Sequence, residues 1–127
     1  MRLLLDTHAL IWWWIDSVRL VSSARRAVED AEEIVVSAAS IWEIATKKRL
    51  RKLDELDRGV AELLPYCSEQ GFTLLPIIPS HALLAGSYSL AHGDPFDRML
   101  AAQAQCEDLV VLTKDDDLRR FPCATRW

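Results

Sequence analysis

Residues 2–14, RLLLDTHALIWWW, decide the fold. Three consecutive leucines after Arg2 read as a short strand covered on both faces, because a strand with one wet face would alternate apolar and polar residues. Asp6 ends that run, and the apolar segment after it is long enough to start a helix. The acid therefore stands where a strand hands over to a helix. In an open parallel sheet that is the end at which ligands bind, but an Asp there can equally be a plain helix cap. The stretch alone leaves both readings open.

Further runs of strand length occupy residues 34–37, 72–77 and 109–113, with a weaker one at 124–127. Longer segments of helical periodicity separate them. Ser22 or Ser23 is placed to cap a helix through Glu32, and Ser37 to cap one whose Ala38, Ile41, Trp42 and Ala45 share a face. A further helix is expected over residues 58–70, ending at Gly71, and another from Ser80 to Ala91. In GDPFDRMLAAQAQCE, Asp94 suits the cap, Pro95 the first helical position and Asp97 the first turn, so a helix runs to about Glu107. Strands alternating with helices predict a three-layer α/β/α domain on a parallel, Rossmann-like sheet of about five strands.

A chain of 127 residues fits one domain spanning residues 1–127. Half the residues are hydrophobic and 27% charged, an ordinary globular balance, and no apolar run approaches the ~20 residues of a membrane span. With no membrane segment and no leader-like N-terminus, a cytoplasmic protein is the expectation. Cys67, Cys106 and Cys123 form no C-x-x-C pair, which argues against a zinc site or disulfide framework. The net charge of −4 speaks against a uniformly basic surface, although not against a local one.

The acids carry the chemistry. Asp6 follows the first strand, and KDDD, residues 114–117, follows LVVLT. Glu43 lies about two turns into the helix after the second strand, and Asp97 opens the helix before the fourth. Convergent carboxylates repel one another unless a cation or shared protons relieve them. Mg²⁺ or Mn²⁺ prefers such oxygen ligands and keeps waters for a phosphate substrate. Plainer readings exist for each acid: Asp94 as a cap, Asp116 and Asp117 as solvated groups, Glu43 as an exposed helical residue.

Four blocks, LLLDTHALIWW, VSAASIWEIATKKRLRKL, HGDPFDRMLAAQAQ and LVVLTKDDDLRRF, resemble PIN-domain ribonucleases of the VapC toxin type. They occur in the family's order and span nearly the whole chain. The resemblance implies a PIN-like, Rossmann-like fold and a Mg²⁺- or Mn²⁺-dependent endoribonuclease acting on RNA. Carried over residue by residue, it puts the four acids on Asp6, Glu43, Asp97 and Asp115, both as catalytic residues and as metal ligands. Asp6 and Asp97 become the principal ligands, and Glu43 and Asp115 complete the site. Thr7 and Thr113 resemble the hydroxyl residues beside the family's acids. His8, which opens the helix after Asp6, reads as structural rather than as a general base.

KKRLRK supplies Lys47, Lys48, Arg49, Arg51 and Lys52 as a local cationic surface for RNA phosphates, to which Arg98 adds. The plainer alternative is a solvated helix face. Trp12, Trp13 and Trp14 spread over about 200° of a helix, so they cannot all face one core. The resemblance implies a homodimer and a cognate VapB-like antitoxin docked on apolar grooves near the early helices, with Trp13 or Trp14 as the contact. Two rivals stand beside the nuclease. A receiver-like regulatory module needs an acid ending a middle strand, and the second and third strands end without one. A catalytically inactive PIN fold kept for protein binding sits poorly with the presence of all four acids.

Overall fold

The computed structural model describes residues 1–127. Five strands, β1 Arg2–Leu5, β2 Glu33–Ser37, β3 Thr73–Leu75, β4 Val110–Leu112 and β5 Thr125–Arg126, form one sheet in the order β3-β2-β1-β4-β5. Every adjacent pair is parallel. The expected sheet is thus present, the weak last strand included. Six helices connect the strands: α1 Thr7–Trp14, α2 Ser22–Asp30, α3 Ala38–Arg49, α4 Leu63–Glu69, α5 Pro79–Ser87 and α6 Pro95–Glu107.

The leucine run works as its composition requires. Leu3 and Leu5 join α1, α2, Val36 and Ile44 in the core on one face of the sheet. Leu4 points the other way, into a second core with Val35, Val111, Leu100 and Ala101. All three leucines are fully buried, each worth roughly 1.5–3 kcal/mol. From β1 the chain moves out through β2 to β3, then returns to the opposite side of β1 as β4. That reversal leaves a crevice beyond the carboxyl ends of β1 and β4.

Several boundaries differ from those read in the sequence. The third strand stops at Leu75 because Pro76 has no N–H to offer the ladder. Helix α2 begins after Val21 without a side-chain cap and ends at Asp30. Helix α5 starts at Pro79, where Ile78 N–H donates to His81 Nδ1 at 3.2 Å, and ends at Ser87. The basic stretch does not continue α3 to Lys52. Arg51 takes a left-handed φ of 58°, and the N–H groups of Lys52 and Arg51 donate back to the carbonyls of Lys47 (2.8 Å) and Lys48 (3.1 Å). This pair of bonds ends the helix at Arg49.

The face of α3 also differs. Ala39, Ser40, Glu43 and Ile44 are buried, whereas Ala38 and Ala45 are exposed and Trp42 is 60% exposed, edge-on to Phe96. The helix turns its acid inward, and of the apolar stripe taken for the core side only Ile41 packs against the core, half-buried.

Candidate active site

Each acid is held by the element that delivers it. Asp6 caps α1, its Oδ1 accepting from Ala9 N–H at 2.7 Å, while its own N–H donates to the Leu112 carbonyl at 3.1 Å and so fixes it beside the end of β4. Glu43 is only 4% exposed. Its Oε1 accepts from the Thr7 hydroxyl at 2.6 Å, and its Oε2 is ion-paired with Lys47. Thr7 Oγ1 also lies 3.1 Å from Ser40 Oγ. Asp97 stands in the first turn of α6, capped by Asp94, with Oδ2 2.9 Å from His92 Nε2. Asp115 N–H donates to Thr113 Oγ1 at 3.0 Å, and its Oδ1 accepts from Asp117 and Leu118 N–H at 2.8 and 3.3 Å.

Electrostatics shows that these groups share one environment. Burial pushes the Asp6 carboxyl above its ordinary value; the Thr113 side chain, Ala9 N–H and His8 oppose the rise, and the charge of Asp115 reinforces it. Burial likewise raises Asp97 to about 6, against the hydrogen bond from His92 and with the charges of Asp94, Asp115 and Glu43 adding to the rise. Burial disfavours the Lys47 ammonium, yet the hydrogen bond and charge of Glu43, with Asp94 and Asp97, hold its pKa above the usual value. His92 is raised chiefly by its hydrogen bond to Asp97. Lys47 is therefore a cation seated among the acids.

The structure brings all four predicted acids to the same sheet edge but not into one tight ligand set. The three groups whose ligand atoms fall within 4.8 Å of one another are His92, Asp94 and Asp97. Asp94 is occupied as the α6 cap, its Oδ1 accepting from Phe96 and Asp97 N–H at 2.8 and 3.3 Å. His92 and Ser40 were missed in the sequence, and Lys47 was read there as an RNA contact rather than as the ion-pair partner of Glu43. No periodicity relates His92 to Asp97, whereas Lys47 lies four residues beyond Glu43 and that helical spacing signals an ion pair.

Of the expected RNA contacts, Arg98 is corrected. Its guanidinium donates to the carbonyls of Ala85, Leu90, His92 and Tyr88 at 2.6–3.0 Å, so it organises the loop before α6 rather than facing a ligand. Lys47 is bound to Glu43 and Lys48 to the Leu56 carbonyl. Only Arg49, Arg51 and Lys52 of that stretch remain exposed and outside any ion pair. Trp14 is also corrected as a contact, because it is 5% exposed and stacked on Tyr66. Trp13 is half-buried, its Nε1 donating to Gln70 Oε1 at 3.1 Å.

An α/β/α domain with carboxylates gathered beyond the ends of its central parallel strands presents there oxygen donors of the kind a hard cation takes. The PIN domain profile matches residues 3–122, and the chain belongs to the PIN domain family. Ribonuclease VapC22 of Mycobacterium tuberculosis is 35% identical over 117 residues, 91% of this chain and 88% of that protein. Among solved structures, VapBC2 from Rickettsia felis, bound to a DNA fragment from its promoter, superimposes with a TM-score of 0.71 at 15% identity, covering 99% of this chain and 98% of that chain. FitAcB from Neisseria gonorrhoeae gives 0.67 at 22% identity, covering 97% and 95%.

Proposed function

We propose that the chain is a Mg²⁺- or Mn²⁺-dependent endoribonuclease, the toxin of a toxin–antitoxin pair, neutralised by a VapB-like antitoxin. The observation that carries this reading is the burial of Asp6 and Asp97 at one sheet edge with their carboxyl pKa values raised, beside Glu43 and Asp115. The likeness to Ribonuclease VapC22 supports RNA as substrate, and the likeness to VapBC complexes supports the partner.

The donor set fits a hard divalent cation: the site's anionic groups are all carboxylates, and desolvation, with like-charge repulsion adding to it, raises two of them, a cost that a cation relieves. Asp6 and Asp97 would be the principal ligands, with Glu43 and Asp115 completing the set. Such an ion supplies charge neutralisation at a phosphodiester and acidifies a water. The chain's own residues do the positioning. Thr7 and Lys47 fix the two oxygens of Glu43, Thr113 orients Asp115 through its N–H, and His92 holds Asp97 Oδ2. Arg49, Arg51 and Lys52 attract the RNA backbone. Trp13, in a groove with Val28, Ala31, Ile34 and Phe72, is the antitoxin contact.

The test is cutting of a mixed RNA pool by purified, partner-free protein. Cutting with Mn²⁺ that EDTA abolishes is expected, and cutting that persists in EDTA overturns the reading.

A further inference from the structure

On the outer side of Asp6 and Asp115 opens a cavity of about 300 Å³ whose remaining walls are His8, Trp12, Arg19, Lys114 and Trp127. Two acids are thus joined there by two cations and three rings, a set the four-carboxylate centre does not use. Helix α1 puts His8 and Trp12 one turn apart, their rings 5.5 Å centre to centre, and Trp127 meets Trp12 edge-on at 5.9 Å. Lys114 Nζ stands 5.0 Å from the centre of the Trp12 ring.

Lys114 is the telling residue. It is exposed, and although two carboxylates line the same cavity it enters none of the chain's ion pairs. Asp115, its neighbour, spends Oδ1 on the N–H groups of Asp117 and Leu118 instead. An ammonium resting on a ring keeps its N–H donors for another acceptor. The exposed Arg19 guanidinium is engaged only with the half-buried Glu55, at 3.2 Å, in a solvent-facing pair of small net worth.

We propose that this cavity binds one nucleotide of single-stranded RNA flanking the phosphate that is cut, with Lys114 on that nucleotide's phosphate and the ring of Trp127 against its base. The inference rests on the ribonuclease reading of the neighbouring acids. Trp12 is 4% exposed and serves as the floor, whereas Trp127 is only half-buried and His8 exposed, so these two rings are free to meet a base. A duplex hides its base faces; an unpaired strand offers them to aromatic side chains and its phosphates to lysine.

Binding of a short fluorescein-labelled single-stranded RNA is measured by anisotropy against salt in an Asp97→Asn background, which lowers the repulsion at the acids. Mn²⁺-supported kcat and KM are measured in the wild-type background. Lys114→Met is expected to weaken binding and raise KM about tenfold, equivalent to about 1.4 kcal/mol, with kcat changed less than about threefold. The slope of log affinity on log salt becomes shallower by about 0.7, the value for one lost single-strand phosphate contact. Trp127→Ala weakens binding by about fivefold or more and Trp127→Phe restores it, as base stacking on a ring requires. Unchanged KM and salt slope in Lys114→Met, loss of kcat at constant KM, or no binding by the parent each overturns the subsite. Absence of cutting by the wild type removes the ribonuclease reading, while the binding series still decides the subsite.

Discussion

The Thr7 hydroxyl donates a 2.6 Å hydrogen bond to Glu43 Oε1, joining the residue directly after Asp6 to the middle of α3. One acid of the site is thereby oriented from the turn that carries another. Thr7 is 5% exposed, so no water replaces its hydroxyl readily. Thr7→Val leaves a buried carboxylate oxygen short of a donor and should lower stability by about 1–3 kcal/mol. RNA cutting should fall about tenfold or more at saturating metal, since 1.4 kcal/mol is one decade in rate. Thr7→Ser should recover most of both. Urea denaturation and cutting rates on the same preparations check this.

Arg98 makes a sharper structural case. Three carbonyls of the loop before α6, of Tyr88, Leu90 and His92, and that of Ala85 in α5 depend on its guanidinium. Arg98→Met should destabilise by about 2–4 kcal/mol, and Arg98→Lys should recover little, because an ammonium cannot reproduce the planar fork. The urea midpoint of each variant decides it, and a near-native midpoint for the lysine variant would contradict the assignment.

Arg51 separates stability from binding within one side chain. Its φ of 58° is a conformation that side-chain-bearing residues adopt at a cost of about 1–2 kcal/mol. Arg51→Gly should raise stability by about 1 kcal/mol, given glycine's freedom in that region. The same change removes an exposed cation, so RNA binding should weaken and its salt slope become shallower by about 0.7. Calorimetric melting and anisotropy read the two effects independently.

The metal-free protein should carry a pH signature from Asp97. Its folded carboxyl titrates at about 6, above the ordinary 3.8. On raising pH, the unfolded chain releases that proton first, so this group's contribution to stability is fully present below about 4 and is lost as pH rises through about 6. Asp97→Asn should abolish that loss. The difference in urea stability between wild type and variant, measured in EDTA from pH 4 to 8, should widen in the variant's favour as pH rises, first through the range of Asp97 and then through that of His92, whose raised pKa rests on the same hydrogen bond.

The scaffold was legible because its signals are local. Leu3, Leu4 and Leu5 have no polar alternation to accommodate, and Asp94-Pro95 is a helix start wherever it occurs. The site was legible only as far as strand ends could be placed: Asp6 and Asp115 follow apolar runs directly. Glu43 was harder, because helical periodicity assigned Trp42 to the interior when the buried face belongs to Ser40, Glu43 and Ile44. Apolar pattern predicts a core face poorly where a polar site claims the interior. Likewise nothing in HGDPFD says that His92 reaches Asp97 Oδ2, and nothing in FDRM says that Arg98 turns back onto four carbonyls. Such contacts depend on the path of a loop, which a linear spacing does not encode.

The gathered carboxylates are expected to hold a divalent cation. Calorimetric titration of Mn²⁺ into the wild type and into an Asp6→Asn, Asp97→Asn double variant at neutral pH tests it most directly. Saturable binding by the wild type with proton release from the raised carboxyls is expected, with loss of that binding in the double variant. Equal binding by both proteins, or none by a folded wild type, would contradict it.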